Sequence, residues 1–427
     1  MEQMKELLHW IWLAEALGPQ SGSFRALITQ YESPYDIYEA DTDELSRLPE
    51  VTERALAALA NKDLTPATAI LNACARLGIG VLTYADGRYP NNLRRIKRPP
   101  VLLYCKGNLP DFNTRLSIGM VGTRKMSAYG LRHAYKIAYE LTSAGAITVS
   151  GMAAGIDGVS AGAALAAGGP TVAVLGCGVD LVYPPHHAKL KREIEKSGAV
   201  ISEYPPGTKP NGYHFPARNR IISGICEGTV VIEAGLGSGS LITAKDAAAE
   251  GRDVFALPSN VGSRTSAGTN GLLRDGATLV LSTEDILDPY KYVFPKTLHP
   301  EALADVQGKS EADLIYLNDL GVISYTPGAP VKEPGTPAAA PAKEPKKQVQ
   351  AKEKTETPAA SVDPSTLPGL SEEERRVLCA IPDGEAVSLD HLTTLGLSFG
   401  EVIAAVTTLE IMGYLQKLPG SQYKKTI

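Results

Sequence analysis

The chain has 427 residues, 44% hydrophobic and 21% charged, with 42 Lys and Arg against 47 Asp and Glu for a formal net charge of -5. This length predicts two or three globular domains at about 150 residues each, and the acidic balance excludes a uniformly basic nucleic-acid coat, so any polyanion binding must come from a local patch. Five cysteines without CxxC spacing fit reduced thiols in a cytoplasm better than a disulfide frame or a zinc site.

The N-terminal stretch MEQMKELLHWIWLAEALG holds an apolar run, but Glu2, Glu6 and Glu15 and the lack of a small-residue cleavage pattern predict an amphipathic helix, not a signal peptide. No segment reaches the ~18 uncharged apolar residues of a membrane span, so the expectation is a cytoplasmic protein without a membrane partner. Gly18-Pro19 breaks the first helix, and Phe24, Leu27, Ile28 and Tyr31, then Leu45, Leu48, Val51 and Leu56, recur at helical spacing. Residues 1–65 therefore read as a small helical (SAM-like) domain. Its few basic residues favour a packing module over a DNA clamp.

Residues 66–113 read as a connecting α/β segment of the core, with a helix over Ala69–Leu77 and strands over Gly80–Thr83 and Val101–Cys105. Arg88, Arg94, Arg95, Lys97 and Arg98 form a basic run there, read as a solvated face.

Residues 114–290 carry the clearest rhythm. Apolar runs at Leu116–Val121, Ala146–Val149, Thr171–Leu175, Ala199–Ile201, Thr229–Ile232, Asp253–Leu257 and Ala277–Leu281 each stop at Gly, Ser or a polar loop, with helical patterns between most of them. Such alternation predicts an α/β fold, an extended Rossmann-like parallel sheet covered on both faces. Ligands of such sheets sit beyond the carboxyl ends of the strands.

Those ends hold the unusual residues. Gly122-Thr123-Arg124 follows the first strand and Ser127 precedes a helix, so backbone amides and Arg124 can face an anion. Gly176-Cys177-Gly178 resembles a dinucleotide turn but leads into Tyr183-Pro184-Pro185 instead of a helix, so a nicotinamide cofactor fails its context test, and no cofactor or metal is expected. Glu233 is followed by Gly237, Ser238, Gly239 and Ser240 in front of a helix, a phosphate cradle. Each feature also has a plain structural reading: a tight turn, a helix cap at Asp157 or Asp180, or a Glu233 that holds loop amides.

Ser202 to Gly224, SEYPPGTKPNGYHFPARNRIISG, interleaves Lys209, Arg218 and Arg220 with Tyr204, Tyr213 and Phe215 and has no acid between Glu203 and Glu227. Cations for phosphates and rings for base faces are what a single strand requires.

In order, GTRKMSAYG, SGMAAGID, VLGCGVDLVYPP, SEYPPGTKP, FPARNRIISG, EAGLGSGSLITA, GRDVFALPS and GTNGLLRDGA resemble the DNA-processing protein A family (DprA/Smf) over roughly residues 70–290. The resemblance implies a non-enzymatic protein, usually a homodimer, that binds and protects single-stranded DNA and helps load a RecA-type recombinase in natural transformation. It implies that Arg124 and Lys209 bind the backbone and that Phe215, Arg218, Asn219 and Arg220 lie along the same groove. Where the family often shows a basic residue inside SGxAxGID and then a His-Arg pair, this chain has Ala154, Ala161 and Gly162, a less cationic helix start. The same fold also resembles nucleoside-monophosphate phosphoribohydrolases, in which a Glu and an Arg act on a ribose. On that alternative Glu233 with Arg124 or Arg218 would stabilise an oxocarbenium-like transition state.

Beyond Pro289 the apolar pattern fades. Residues 291–325 read as an extension, and residues 326–368, rich in Pro, Ala, Lys and Glu, as a disordered linker. Residues 369–427 follow helix, helix, helix and hairpin, the order of a winged-helix domain. Its third helix, Ser398–Met412, has Glu401 and Glu410 but no Lys or Arg, so a protein-contact or regulatory role is expected over major-groove reading.

Overall fold

Continuous runs of Val and Ile build strands that are covered on both faces, and such strands form the centre of this protein. The computed structural model describes residues 2–263, 265, 267–305, 311–324, 370–382, 385–392, 396–397, 399–411, 414–418 and 422–426. The chain divides into two units, Met1–Ala338 and Ala339–Ile427. The expected linker, residues 326–368, lies outside the described residues.

The first unit opens with α1 (Glu2–Leu17), α2 (Ser23–Gln30), α3 (Pro34–Glu39), α4 (Thr42–Leu45), α5 (Glu53–Leu59) and α6 (Thr65–Leu77). Ile11, Leu13, Phe24, Leu27, Ile37 and Leu59 are fully buried among them. Trp12 Nε1 donates to the Asn61 carbonyl at 2.9 Å. The sequence reading attached the α6 stretch to the following segment, yet this helix packs on α1.

The chain continues through β1 (Gly80–Thr83), α7 (Asn91–Arg95), β2 (Leu102–Gly107), β3 (Ser117–Val121), α8 (Ala128–Ser143), β4 (Ile147–Ser150), α9 (Ile156–Ala166) and β5 (Thr171–Leu175). It then forms α10 (Ala188–Ser197), β6 (Ala199–Ser202), α11 (His214–Ile225), β7 (Gly228–Val231), α12 (Gly239–Ala249), β8 (Asp253–Ala256), α13 (Ala267–Arg274), β9 (Thr278–Leu279) and α14 (Glu284–Leu287). One nine-stranded sheet runs β1-β2-β6-β5-β4-β3-β7-β8-β9. Strands from β6 to β9 pair in parallel, while β2 pairs antiparallel with both β1 and β6.

Ile118, Val149, Val172, Val174, Val230 and Val231 are fully buried, which explains why these strands read as unbroken apolar runs. The last strand is shorter than the expected Ala277–Leu281, because it lies at the sheet edge and leaves Leu281 74% exposed. From β3 the chain steps outward to β6 and then returns to lay β7 on the other side of β3. Strand order therefore reverses between β3 and β7, the place where sheets of this kind hold ligands.

The stretch after Pro289 remains on the core. His299 donates its backbone N–H to the Ala144 carbonyl at 2.8 Å. In α15 (Glu311–Asp319), Leu317 packs against α9 at Gly162, where a Cβ would stand 2.5 Å from Leu317 Cδ2. The small residue that made the start of α9 less cationic also makes room for this helix.

The second unit holds α16 (Glu372–Cys379), β10 (Ala386–Ser388), α17 (Leu389–Leu392), α18 (Phe399–Ile411), β11 (Leu415–Leu418) and β12 (Gln422–Lys425). Ser371 and Glu374 form a capping box at the start of α16. The strands pair antiparallel in the order β10-β12-β11 around Val377, Leu378, Val402, Leu409 and Tyr423. The sequence reading lacked β10, since three residues are too few to show an alternation. Among the described residues no helix is long and apolar enough to cross a membrane, and no group of three or more His, Cys, Asp or Glu is placed to hold a metal ion.

Candidate nucleic-acid interface

At the carboxyl ends of β3 and β7 the sheet opens into a cavity of about 630 Å³. Gly122 and Arg124 from the loop after β3, Phe215, Arg218 and Asn219 from α11, and Ser238, Gly239 and Ser240 at the start of α12 all line it. Three segments far apart in sequence thus meet, and most of the expected site residues meet with them.

One wall is a ladder of rings and charge. The Arg124 guanidinium lies over Phe215 at 5.6 Å from the ring centroid. The other neighbour of Phe215 is Tyr183, stacked at 5.3 Å and 29°. Arg124 is itself exposed, so the outer rung is a free cation backed by aromatic faces.

The floor is a buried cation. Arg218 is 5% exposed, donates Nη1 to the carbonyls of Gly151 (2.8 Å) and Val174, and donates Nε to Asn219 Oδ1 at 3.2 Å. Asp157, also in the lining, accepts from Gly151 N at 3.0 Å. Burial lowers the affinity of Arg218 for its proton and raises that of Asp157, and each charge partly offsets the effect on the other.

A second wall is the start of α12. Gly237 takes φ +79°, and the Ser238 hydroxyl caps the helix by accepting from Ser240 N at 3.4 Å. Asn219 Nδ2 donates to the Gly239 carbonyl at 3.4 Å, which fixes this helix start against α11. Helix N-termini favour anions.

Lys209 is exposed and adjoins Pro210, Asn211 and Gly212 of the lining. Its turn is pinned by Asp180, whose two carboxylate oxygens accept from Gly207 N at 2.9 and 3.0 Å. Arg220 is placed differently: it is 8% exposed, outside the lining, and its Nη2 donates to both Glu203 oxygens at 2.5 Å. Thr123 and Ser127 also lie outside the lining. Ser127 caps α8 and donates its N–H to Glu233 Oε2 at 2.9 Å, so the start of α8 already has its anion. Glu233 is 1% exposed and does not line the cavity. Among the described residues, the phosphoribohydrolase alternative finds no carboxylate in the lining except Asp157.

The sequence reading noted Tyr183 and Asp157 without placing them in the site. Only Asp157 carried a signal, a carboxylate at the start of a helix after a strand.

Comparison with known proteins gives a consistent picture. A family model described as DNA recombination-mediator protein A matches residues 80–291, and one described as the DprA winged helix domain matches residues 359–421. Protein Smf of Synechocystis sp. is 34% identical over 354 residues, 81% of this chain and 79% of that protein. DNA processing protein DprA of Streptococcus pneumoniae is 44% identical over 207 residues, 48% of this chain and 73% of its own. The X-ray structure of DNA processing protein A from Streptococcus pneumoniae superposes with a TM-score of 0.58 at 32% identity, covering 66% of this chain and 97% of that one.

Proposed function

The chain belongs to the DprA/Smf family, and from that premise we propose that it processes DNA by binding a single strand along the β3–β7 groove, without chemical turnover. The observation that carries this reading is the ladder of Arg124, Phe215 and Tyr183 lining the same cavity as the start of α12. It offers helix-end amides to phosphates and, at the two ends of the ladder, the Arg124 guanidinium and the Tyr183 ring to phosphates and unstacked bases, with Phe215 holding the two in place, and a duplex cannot present its bases that way.

In this reading Arg124 and Lys209 contact phosphates, Phe215 and Asn219 line the strand's path, and Gly122, Ser238, Gly239 and Ser240 cradle the backbone. Arg218 supplies fixed positive charge from beneath. Arg220, Thr123, Ser127 and Gly237 support these groups by shaping the elements that carry them. Titration of labelled single-stranded and duplex oligonucleotides at two salt concentrations tests it. Tighter single-strand binding that weakens with salt is expected, and equal affinity for duplex would refute it.

The family resemblance supports a wider role. The protein acts in the cytoplasm as a homodimer, protects incoming DNA during natural transformation and loads a RecA-type recombinase. A filament-assembly assay on single strands coated with a competing binding protein tests this, and no acceleration by the full chain would count against it.

A further inference from the structure

We infer that a second cavity, divided from the groove by the chain at His214–Phe215, takes the base of a nucleotide whose phosphate lies in the groove. This rests on the single-strand reading above. The cavity holds about 440 Å³, within the range of small-ligand sites, and lies where the end of α1 and the Gly18–Gln20 turn face β2 and the loop after β6.

Its chemistry is the reverse of the groove's. Among the described residues no Lys or Arg lines it, and the charged groups that do are Glu15 and Glu203. Glu203 is balanced from behind by Arg220, whose Nη2 lies 2.5 Å from both carboxylate oxygens. Such a cavity repels phosphate and accepts hydrogen bonds from N–H groups. Its rings are Tyr204 and His214, stacked at 4.1 Å and 21°, and Tyr213 at the lip, 85% exposed.

His214 lines this cavity and Phe215 lines the groove. Between Thr208 and Ala217 the chain alternates between the two linings, with Pro210, Asn211, Gly212, Phe215 and Pro216 on the groove and Thr208, Tyr213, His214 and Ala217 on the cavity, so this one stretch is the boundary that the nucleotide straddles. A phosphate on the Arg124 and Lys209 side then leaves its base among rings and carboxylates. Carboxylates accept from the cytosine amino group, while thymine presents a carbonyl at that position, so the cavity favours amino-bearing bases.

Anisotropy titrations of the full chain with oligo(dC), oligo(dT) and an abasic oligonucleotide test this. Tyr213→Ala should weaken both base-bearing strands about tenfold, consistent with loss of one stacked base. It should leave the abasic strand unchanged, and Tyr213→Phe should retain wild-type binding. Glu15→Gln should weaken oligo(dC) about threefold relative to oligo(dT). Wild-type binding by Tyr213→Ala and Glu15→Gln, alongside weak binding by Lys209→Glu, overturns the base cavity and keeps the groove. Wild-type binding by all three overturns the groove and this inference with it. An equal loss on the abasic strand also overturns it, since Tyr213 would then act on the backbone.

Discussion

Phe215 and Tyr183 stack with centroids 5.3 Å apart, and this pair backs the exposed guanidinium of Arg124, which lies 5.6 Å from the Phe215 centroid. Arg124 and Tyr183 come from the loops after β3 and β5, and Phe215 from the first turn of α11. Phe215→Ala removes the middle rung, so it should weaken single-strand binding by about 1–3 kcal/mol. Arg124→Glu should weaken it further and lower the slope of log K against log salt by roughly 0.7 for the lost phosphate contact. Titrations at several salt concentrations read both effects.

Arg220 should act on stability. Its side chain and that of Glu203 are 10% and 9% exposed, and removing one partner of a buried pair leaves the other uncompensated, at about 3–5 kcal/mol. Arg220→Ala should lower the unfolding free energy by that amount, read from the denaturant midpoint and slope. Its single-strand affinity, measured where the variant is still folded, should stay within about threefold of wild type, well below the loss from Arg124→Glu.

His187 makes stability depend on pH. It is fully buried, Nδ1 lies 3.0 Å from the Met152 carbonyl, and Nε2 has no partner. Burial lowers its pKa from 6.5 to about 4. A group lowered in the folded state binds fewer protons there, so its contribution is complete above pH 6.5 and is lost as pH falls towards 4. The loss amounts to about 3 kcal/mol by linkage. Denaturant unfolding from pH 7 to pH 4 should show it, and His187→Gln should flatten that part of the profile.

Gly130→Ala should destabilise the start of α8. A Cβ there would stand 2.1 Å from Glu233 Oε2, displacing the carboxylate that accepts from Ser127 N. Overpacking of this kind costs about 1–3 kcal/mol, and the unfolding midpoint measures it.

Leu317→Ala should cost about 2–5 kcal/mol, although this residue lies in the extension beyond the apolar rhythm. Its side chain is fully buried against α9 at Gly162, and deletion leaves a cavity. A Leu317→Ala chain with wild-type unfolding would show that the extension contributes nothing to the core.

The sheet was legible because strands buried on both faces leave unbroken runs of Val and Ile, and the groove because Gly and Ser clusters mark the strand ends. What the sequence hid depends on direction. Arg218 and Arg220 look equivalent as letters, yet two steps along a helix turn about 200°, so one lies beneath the groove and the other faces Glu203. Tyr183 was visible only as part of a Tyr-Pro-Pro turn, because its place in the site comes from Phe215, a partner brought to it by folding. Glu233 could be read either as an acid open to substrate or as a holder of loop amides, and its backbone course decides for the second by delivering it to Ser127 N. The extension faded from view because the counterpart of Leu317 is a glycine, which carries no apolar signal.

Arg218 has one consequence for the timing of binding. Its guanidinium is held by the carbonyls of Gly151 and Val174 before any strand arrives, so its rotamer entropy is spent during folding. Immobilising a long side chain on association costs about 0.5–1.5 kcal/mol, a penalty that exposed Lys209 still faces. In the proposed single-strand complex Arg218 would therefore contribute a fixed charge, partly offset by Asp157 in the same lining, whereas Lys209 would still have to be immobilised.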